Sequence, residues 1–192
     1  MNNIGGENVR SLVTSPIPGG YSWTLVSRLG HMLRLAEERF GSRDTSYTIL
    51  GIEFEADGPQ IWYPENCKHI AIQLTPDTAT HMVKGCYQLA HECIHLLAPT
   101  GGRDANTLEE GLATFFAHKY VQDAFRVAMP ATMPSYEIAR QHVARLLAID
   151  GNAVKRLREA QPTISKITAE QILSVCPSLE AEVAEALAAR YL

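Results

Sequence analysis

The residues His91-Glu92-Cys93-Ile94-His95 form the pattern HExxH, with two histidines four positions apart. Residues with this spacing share one face of an α-helix, about 6 Å apart along its axis, so both imidazoles can bind one metal ion. Glu92 lies beside that face, where a carboxylate can take a proton from a metal-bound water without binding the metal. The pattern predicts a zinc site with His91 and His95 as ligands and Glu92 as general base.

Catalytic zinc sites commonly use three protein ligands and keep one position open. Fourteen residues lie between His95 and Glu110, and they include a proline and a glycine pair that allow the chain to turn back. Glu110 can therefore lie beside the two histidines as the third ligand. The segment Thr107-Leu108-Glu109-Glu110 is also a capping-box pattern, in which Glu110 would bond the Thr107 N–H instead. The two interpretations compete for one carboxylate, and the nearby HExxH favours the ligand.

The segments HECIHLL and LEEGLATFFA together resemble the gluzincins, zinc metallopeptidases that combine HExxH with a glutamate further along the chain. The resemblance covers residues 46–126 and implies a short version of the zincin-like fold, hydrolysis of peptide bonds and one Zn²⁺ per chain. It implies Glu110 as the third ligand, rather than Glu109, and a Gly111 that lets its helix approach a neighbour closely. It also implies an oxyanion-stabilising tyrosine or histidine, for which the sequence offers four candidates: Tyr120, Tyr136, His118 and His142.

The helix that follows Glu110 carries further candidates for supporting the site. Thr114 comes one turn later, and its hydroxyl either orients a metal-bound imidazole or bonds its own helix backbone. His118 and Tyr120 follow as candidate second-layer or oxyanion groups. Cys93 points away from the metal face of its helix, which predicts a core position.

The rest of the chain predicts an α+β fold, with a small antiparallel β-sheet packed on a mainly helical body. Three short strands within residues 46–75 form the predicted sheet, as a meander, and "HIAIQLT" is its candidate edge for an extended peptide or else a buried strand. Helices are predicted over residues 22–40, 78–97 and 108–126. Four more helical stretches follow in the C-terminal third, within 135–149, 152–160, 168–176 and 178–192.

One domain is expected over residues 1–192. It begins with an irregular arm at 1–20, continues with a zincin-like catalytic core at 21–130 and ends with a helical C-terminal subdomain at 131–192. The C-terminal helices are a candidate surface for a protein partner or for self-association.

Composition excludes several classes of protein. The net charge of −4 gives no basic excess for binding nucleic acid or an anionic membrane, and no apolar stretch is long enough for a membrane span. No secretory signal is visible, and the four cysteines have no CxxC spacing, which predicts reduced thiols in a cytoplasmic protein. The expected partner is a peptide or protein substrate.

Two other interpretations stay open from the sequence. The chain could be a metal-binding regulatory or interaction module of zincin-like fold with little peptidase activity, although the intact Glu92 argues against that. It could also be a metal-free helical domain in which HExxH occurs by chance.

Overall fold

The computed structural model describes residues 12–65, 68–102 and 104–191, and these form an α+β fold that confirms the predicted broad class. Most of the described chain is helical, and the strands form two small sheets. Along the chain the elements are β1 (Pro16–Ile17), β2 (Gly20–Tyr21), α1 (Leu25–Phe40), β3 (Thr48–Phe54), β4 (Gln60–Trp62), β5 (His69–Leu74), α2 (Met82–His95), α3 (Thr107–Phe125), α4 (Pro134–Ile149), α5 (Ala153–Ala160), α6 (Ala169–Val175) and α7 (Ala181–Ala188).

The main sheet is mixed, so the prediction of an antiparallel meander is wrong. Its strand order is β3-β5-β4, with β3 parallel to β5 and β4 antiparallel to it. The last strand in sequence lies in the centre because β5 is buried along almost its whole length, whereas β3 and β4 are partly exposed. The segment "HIAIQLT" is therefore the buried central strand, and β4 is an edge of the sheet.

The predicted helices are present with small changes at their ends. A 3-10 turn at Pro76–Ala79 replaces the start of the helix predicted over 78–97, and α2 begins only at Met82. The helical C-terminal third is confirmed as α4 to α7. The predicted irregular arm contains the β1–β2 hairpin, and its residues 1–11 lie outside the described residues.

The core lies between the sheet and the helices α1, α2 and α3. The helix α2 contacts β5 and both neighbouring helices, which explains why ten of its fourteen residues are buried. Cys93 is fully buried there, as predicted. Cys86, Cys93 and Cys176 are free thiols, whereas Cys67 lies outside the described residues.

A buried arginine fixes the chain just after the HExxH helix. The Arg158 guanidinium, on α5, donates hydrogen bonds to the carbonyl oxygens of Phe40, Gly41, Ser42 and Leu97 at 2.7–3.1 Å. Buried carbonyls need such donors, and a guanidinium supplies five N–H groups in one plane. Arg158 therefore joins the ends of α1 and α2.

Gly111 allows α3 to approach α4 closely. A Cβ atom at this position would lie 2.4 Å from the Ala139 carbonyl oxygen and 2.8 Å from Val143 Cγ2. The backbone of Ala139 cannot move without displacing α4. The absence of a Cβ atom at Gly111 therefore allows the two helices to pack at this distance. The sequence resemblance implied this close approach, and the structure identifies α4 as the neighbour.

We expect Gly111→Ala to destabilise the fold by about 1–3 kcal/mol, because the added methyl group overpacks the contact between α3 and α4. Gly30→Ala is the matched control, since its Cβ would meet no atom within 4 Å in the middle of α1. The control should gain stability, because alanine favours a helix more than glycine does. Urea unfolding of both variants measures the effect, and equal stabilities would contradict the close packing.

Candidate metal centre

The end of α2 and the start of α3 bring His91, His95 and Glu110 together. One ligand atom from each residue lies within 4.8 Å of the other two. Glu110 Oε2 is 3.2 Å from His91 Nε2, and Glu110 Oε1 is 3.7 Å from His95 Nε2. Ligand atoms around one metal ion lie a few ångströms apart, so the three residues form a group that could hold a metal ion.

The start of α3 contradicts the interpretation of Glu110 as part of a capping box. The N-cap is Asn106, whose side-chain oxygen accepts a hydrogen bond from the Glu109 N–H at 2.9 Å. Thr107 is already the first helical residue, and its N–H donates to the Ala189 carbonyl at 2.9 Å. The capping box is therefore absent from this described helix start, and the Glu110 carboxylate faces the histidines instead.

Glu109 supports the site from the outside, a role that sequence reasoning missed. Its Oε1 atom accepts a hydrogen bond from His95 Nδ1 at 2.8 Å, and both side chains are about nine-tenths buried. A proton held on Nδ1 leaves Nε2 with its lone pair free for a metal, and such carboxylate partners orient metal-binding imidazoles. The sequence contains one indication of this role, the adjacent pair Glu109-Glu110. Two neighbouring carboxylates in the first turn of a helix can contact the two nitrogen atoms of one imidazole.

The charges of these groups are strongly coupled in the metal-free protein. Burial alone would lower the pKa of His95, but the carboxylates of Glu110, Glu109 and Glu92 outweigh it and raise that pKa to about 10. Burial likewise opposes ionisation of Glu110, yet the two histidines hold the pKa of its carboxyl below the usual value. A proton on His95 thus neutralises part of the negative charge that a metal ion would otherwise balance.

We expect the zinc affinity to rise with pH, because zinc needs the neutral imidazole and must displace the His95 proton. One such proton changes the apparent affinity by about tenfold per pH unit between pH 7 and 9, below the raised pKa of about 10. In the metal-free protein the raised pKa of His95 stabilises the folded state. This stabilisation is fully present below pH 6.5, the ordinary pKa of histidine, and it is lost as the pH rises through about 10.

Competition against a chelator at pH 7, 8 and 9 measures this slope. Glu109→Gln is the matched control, because loss of that carboxylate lowers the pKa of His95 and should flatten the slope towards pH 9. An affinity that does not change with pH in the unaltered protein would contradict the protonated His95.

Glu92 is almost completely buried, yet it lines the same cavity as the three ligand residues. Only 3% of the residue is exposed, and burial raises the pKa of its carboxyl, with a smaller contribution from the Glu110 charge. A buried carboxyl with a raised pKa that lines a cleft is a candidate for proton transfer.

A cleft of about 230 Å³ opens over the three ligand residues. The edge strand β4 borders it through Gln60 and Ile61, and the loop between α2 and α3 forms another wall. Tyr136, in the first turn of α4, completes the wall, with its ring perpendicular to that of His91 at a centroid distance of 5.6 Å.

The three further candidates on α3, Thr114, His118 and Tyr120, do not line this cleft. The Thr114 hydroxyl donates to the Glu110 carbonyl of its own helix at 2.9 Å. His118 packs edge-on against Tyr87, and the Tyr120 hydroxyl pairs with His31 Nδ1 at 3.2 Å. None of the three is among the described residues that line the cleft. Of the four oxyanion candidates, only Tyr136 is among those residues; His142 is not.

Comparison with protein-family models, with curated proteins and with solved structures finds no match to this chain. Within the described part of the chain, no helix has the length and apolar character needed to cross a membrane.

Proposed function

We propose that this protein is a zinc-dependent metallopeptidase of the gluzincin type, with one zinc ion per chain. The observation that carries the proposal is the close grouping of His91, His95 and Glu110, with Glu92 in the same cleft. Two imidazoles and one carboxylate form a ligand set that leaves a fourth position free for water or substrate. Bound there, zinc would lower the pKa of a water molecule and polarise a substrate carbonyl.

The protein's own groups then have defined tasks in peptide hydrolysis. Glu92 accepts the proton of the attacking water and delivers it to the leaving amine nitrogen. Tyr136 supports the same reaction by donating its hydroxyl proton in a hydrogen bond to the carbonyl oxygen as negative charge develops there. Glu109 holds His95 in the required tautomer through the 2.8 Å hydrogen bond to Nδ1.

The edge strand β4 supports a peptide as the substrate. It is the last strand of its sheet in the described part of the chain, and its residues Gln60 and Ile61 line the cleft. A substrate in extended conformation could lie along this strand, as peptides do where they bind beside the edge of a sheet. Its scissile carbonyl would then lie over the ligand residues.

Elemental analysis of protein purified without chelator or nickel tests the metal site first. We expect about one zinc per chain, lost in His91→Ala and kept in His81→Ala. His81 is the matched control because it is exposed at the other end of the same helix. Absence of zinc in the unaltered protein, even after zinc is added, would overturn the proposal.

A library of fluorescence-quenched peptides then tests for hydrolysis. We expect cleavage that stops on removal of zinc with a chelator and returns when zinc is restored. Zinc binding without any cleavage would instead favour a metal-binding regulatory or interaction module.

A further inference from the structure

Residues 189–191, here named the C-terminal strap, lie beside the start of α3. The strap pairs in antiparallel orientation with residues 105–107, through a bridge between Asn106 and Arg190. Two backbone hydrogen bonds hold it: the Ala189 carbonyl accepts one at 2.9 Å, and the Tyr191 N–H donates the other at 3.1 Å. The strap therefore joins the segment that leads directly to Glu109 and Glu110.

The side chain of Tyr191 connects the strap to the metal cleft. Its ring stacks on Tyr136, with centroids 5.2 Å apart and an interplanar angle of 27°. Its hydroxyl pairs with Ser135 Oγ at 2.8 Å, which anchors the Tyr191 ring to the first turn of α4. Tyr136 in turn meets the ring of His91. Three aromatic rings thus lie in contact in the order Tyr191, Tyr136, His91.

Tyr136 depends on these contacts for its orientation. Its hydroxyl makes no hydrogen bond to any described residue, so no polar contact within that part of the chain fixes the ring. Stacking against one face and an edge contact with His91 are the interactions that hold the ring in the cleft wall.

We propose that Tyr191 is a positioning residue, which aims the Tyr136 hydroxyl into the metal cleft by stacking on its ring. The C-terminal strap is thereby part of the functional site. The inference rests on the proposed function for the role of the Tyr136 hydroxyl. It makes Tyr191 act through Tyr136, so its effect must disappear when that hydroxyl is removed.

Binding of acetohydroxamate to the zinc-loaded protein tests this role without a substrate. This small chelator places an oxygen atom beside the metal, where Tyr136 can donate a hydrogen bond to it. We expect Tyr191→Ala to weaken the binding about tenfold, the scale of a lost aromatic pair, and Tyr191→Phe to restore it to within about threefold. Tyr21→Ala, in the exposed β1–β2 hairpin, should have no effect.

A double-mutant cycle separates positioning from a general structural effect. In the Tyr136→Phe background, we expect Tyr191→Ala to cause no further loss of acetohydroxamate binding. The zinc affinity should stay within about threefold in every variant, because the backbone bonds of the strap do not need the Tyr191 side chain. Unchanged binding in Tyr191→Ala, or an equal loss in both backgrounds, would overturn the proposal.

Kinetics and spectroscopy distinguish this inference from the proposed function. On a cleaved peptide, Tyr191→Ala should lower kcat about tenfold and leave KM within twofold. A protein that binds acetohydroxamate but cleaves no peptide would fail as a peptidase, while the binding comparison would still decide the role of Tyr191. If the protein bound no zinc, both the proposed function and the role of Tyr191 would be excluded. An unchanged Tyr136 ring signal in the NMR spectrum of Tyr191→Ala would exclude the stacking contact between the two rings.

Discussion

Replacing Glu92 with glutamine should lower kcat for peptide hydrolysis by about 10²- to 10⁴-fold while the protein keeps its zinc. This is the range that a positioned general base contributes to a proton-transfer step. Glutamine has nearly the same shape but cannot accept the proton of the attacking water. The metal should stay because His91, His95 and Glu110 form the ligand group without Glu92.

The same variant should unfold at an equal or higher denaturant concentration than the unaltered protein at pH 7. Burial raises the pKa of the Glu92 carboxyl in the folded protein, so its ionised form opposes folding above the usual pKa of 4.5. A neutral glutamine removes that cost. A loss of activity together with preserved stability would therefore assign the effect to chemistry.

Zinc content, urea unfolding and initial rates of peptide cleavage measure these outcomes together. Glu159→Gln is the matched control, because it makes the same chemical change at an exposed position on α5. Hydrolysis at the full rate by Glu92→Gln would exclude Glu92 as the general base.

Replacing Glu110 with alanine should weaken zinc binding more than any change outside the ligand group. Loss of an outer carboxylate partner commonly costs about 10- to 100-fold in metal affinity, and loss of a direct ligand should exceed this. Glu110 contacts both histidines, at 3.2 and 3.7 Å, so its removal leaves only two ligands in the group.

Two neighbouring variants make this test specific. Glu109→Gln keeps all three ligands but removes the charged partner of His95, so we expect the smaller loss of about 10- to 100-fold. Asn106→Ala removes the helix cap and should cost about 1 kcal/mol of stability, with little change in zinc affinity. Competition titrations should rank the loss of affinity in the order Glu110, Glu109, Asn106. A Glu110 variant with unchanged affinity would contradict its role as a ligand.

The grouping of His91, His95 and Glu110 was largely predictable because most of it depends on local structure. HExxH needs only a helix to bring two imidazoles to one face, and the buried, periodic residues of α2 ensure that helix. The prediction of Glu110 as a ligand required only that the chain turn back after His95. The broad α+β class and the helical C-terminal third followed from apolar periodicity, which is also a local property.

The pairing of strands was not predictable in the same way. Alternation of apolar and polar residues indicates that a segment is a strand, but it does not say which neighbour the strand pairs with. The greater burial of β5 goes with its place between β3 and β4, so the strand that borders the cleft is β4 and not "HIAIQLT". The direction and order of strands depend on contacts between distant segments.

The outer groups of the site depend on tertiary contacts for the same reason. Glu109 and Glu110 are adjacent, and the sequence does not say which carboxylate faces Nδ1 of His95 and which faces the Nε2 atoms. Only the orientation of α3 against α2 separates their roles. Tyr136 reaches the cleft because the contact at Gly111 brings α4 close to α3. The spacing of residues along the sequence does not predict this contact between helices.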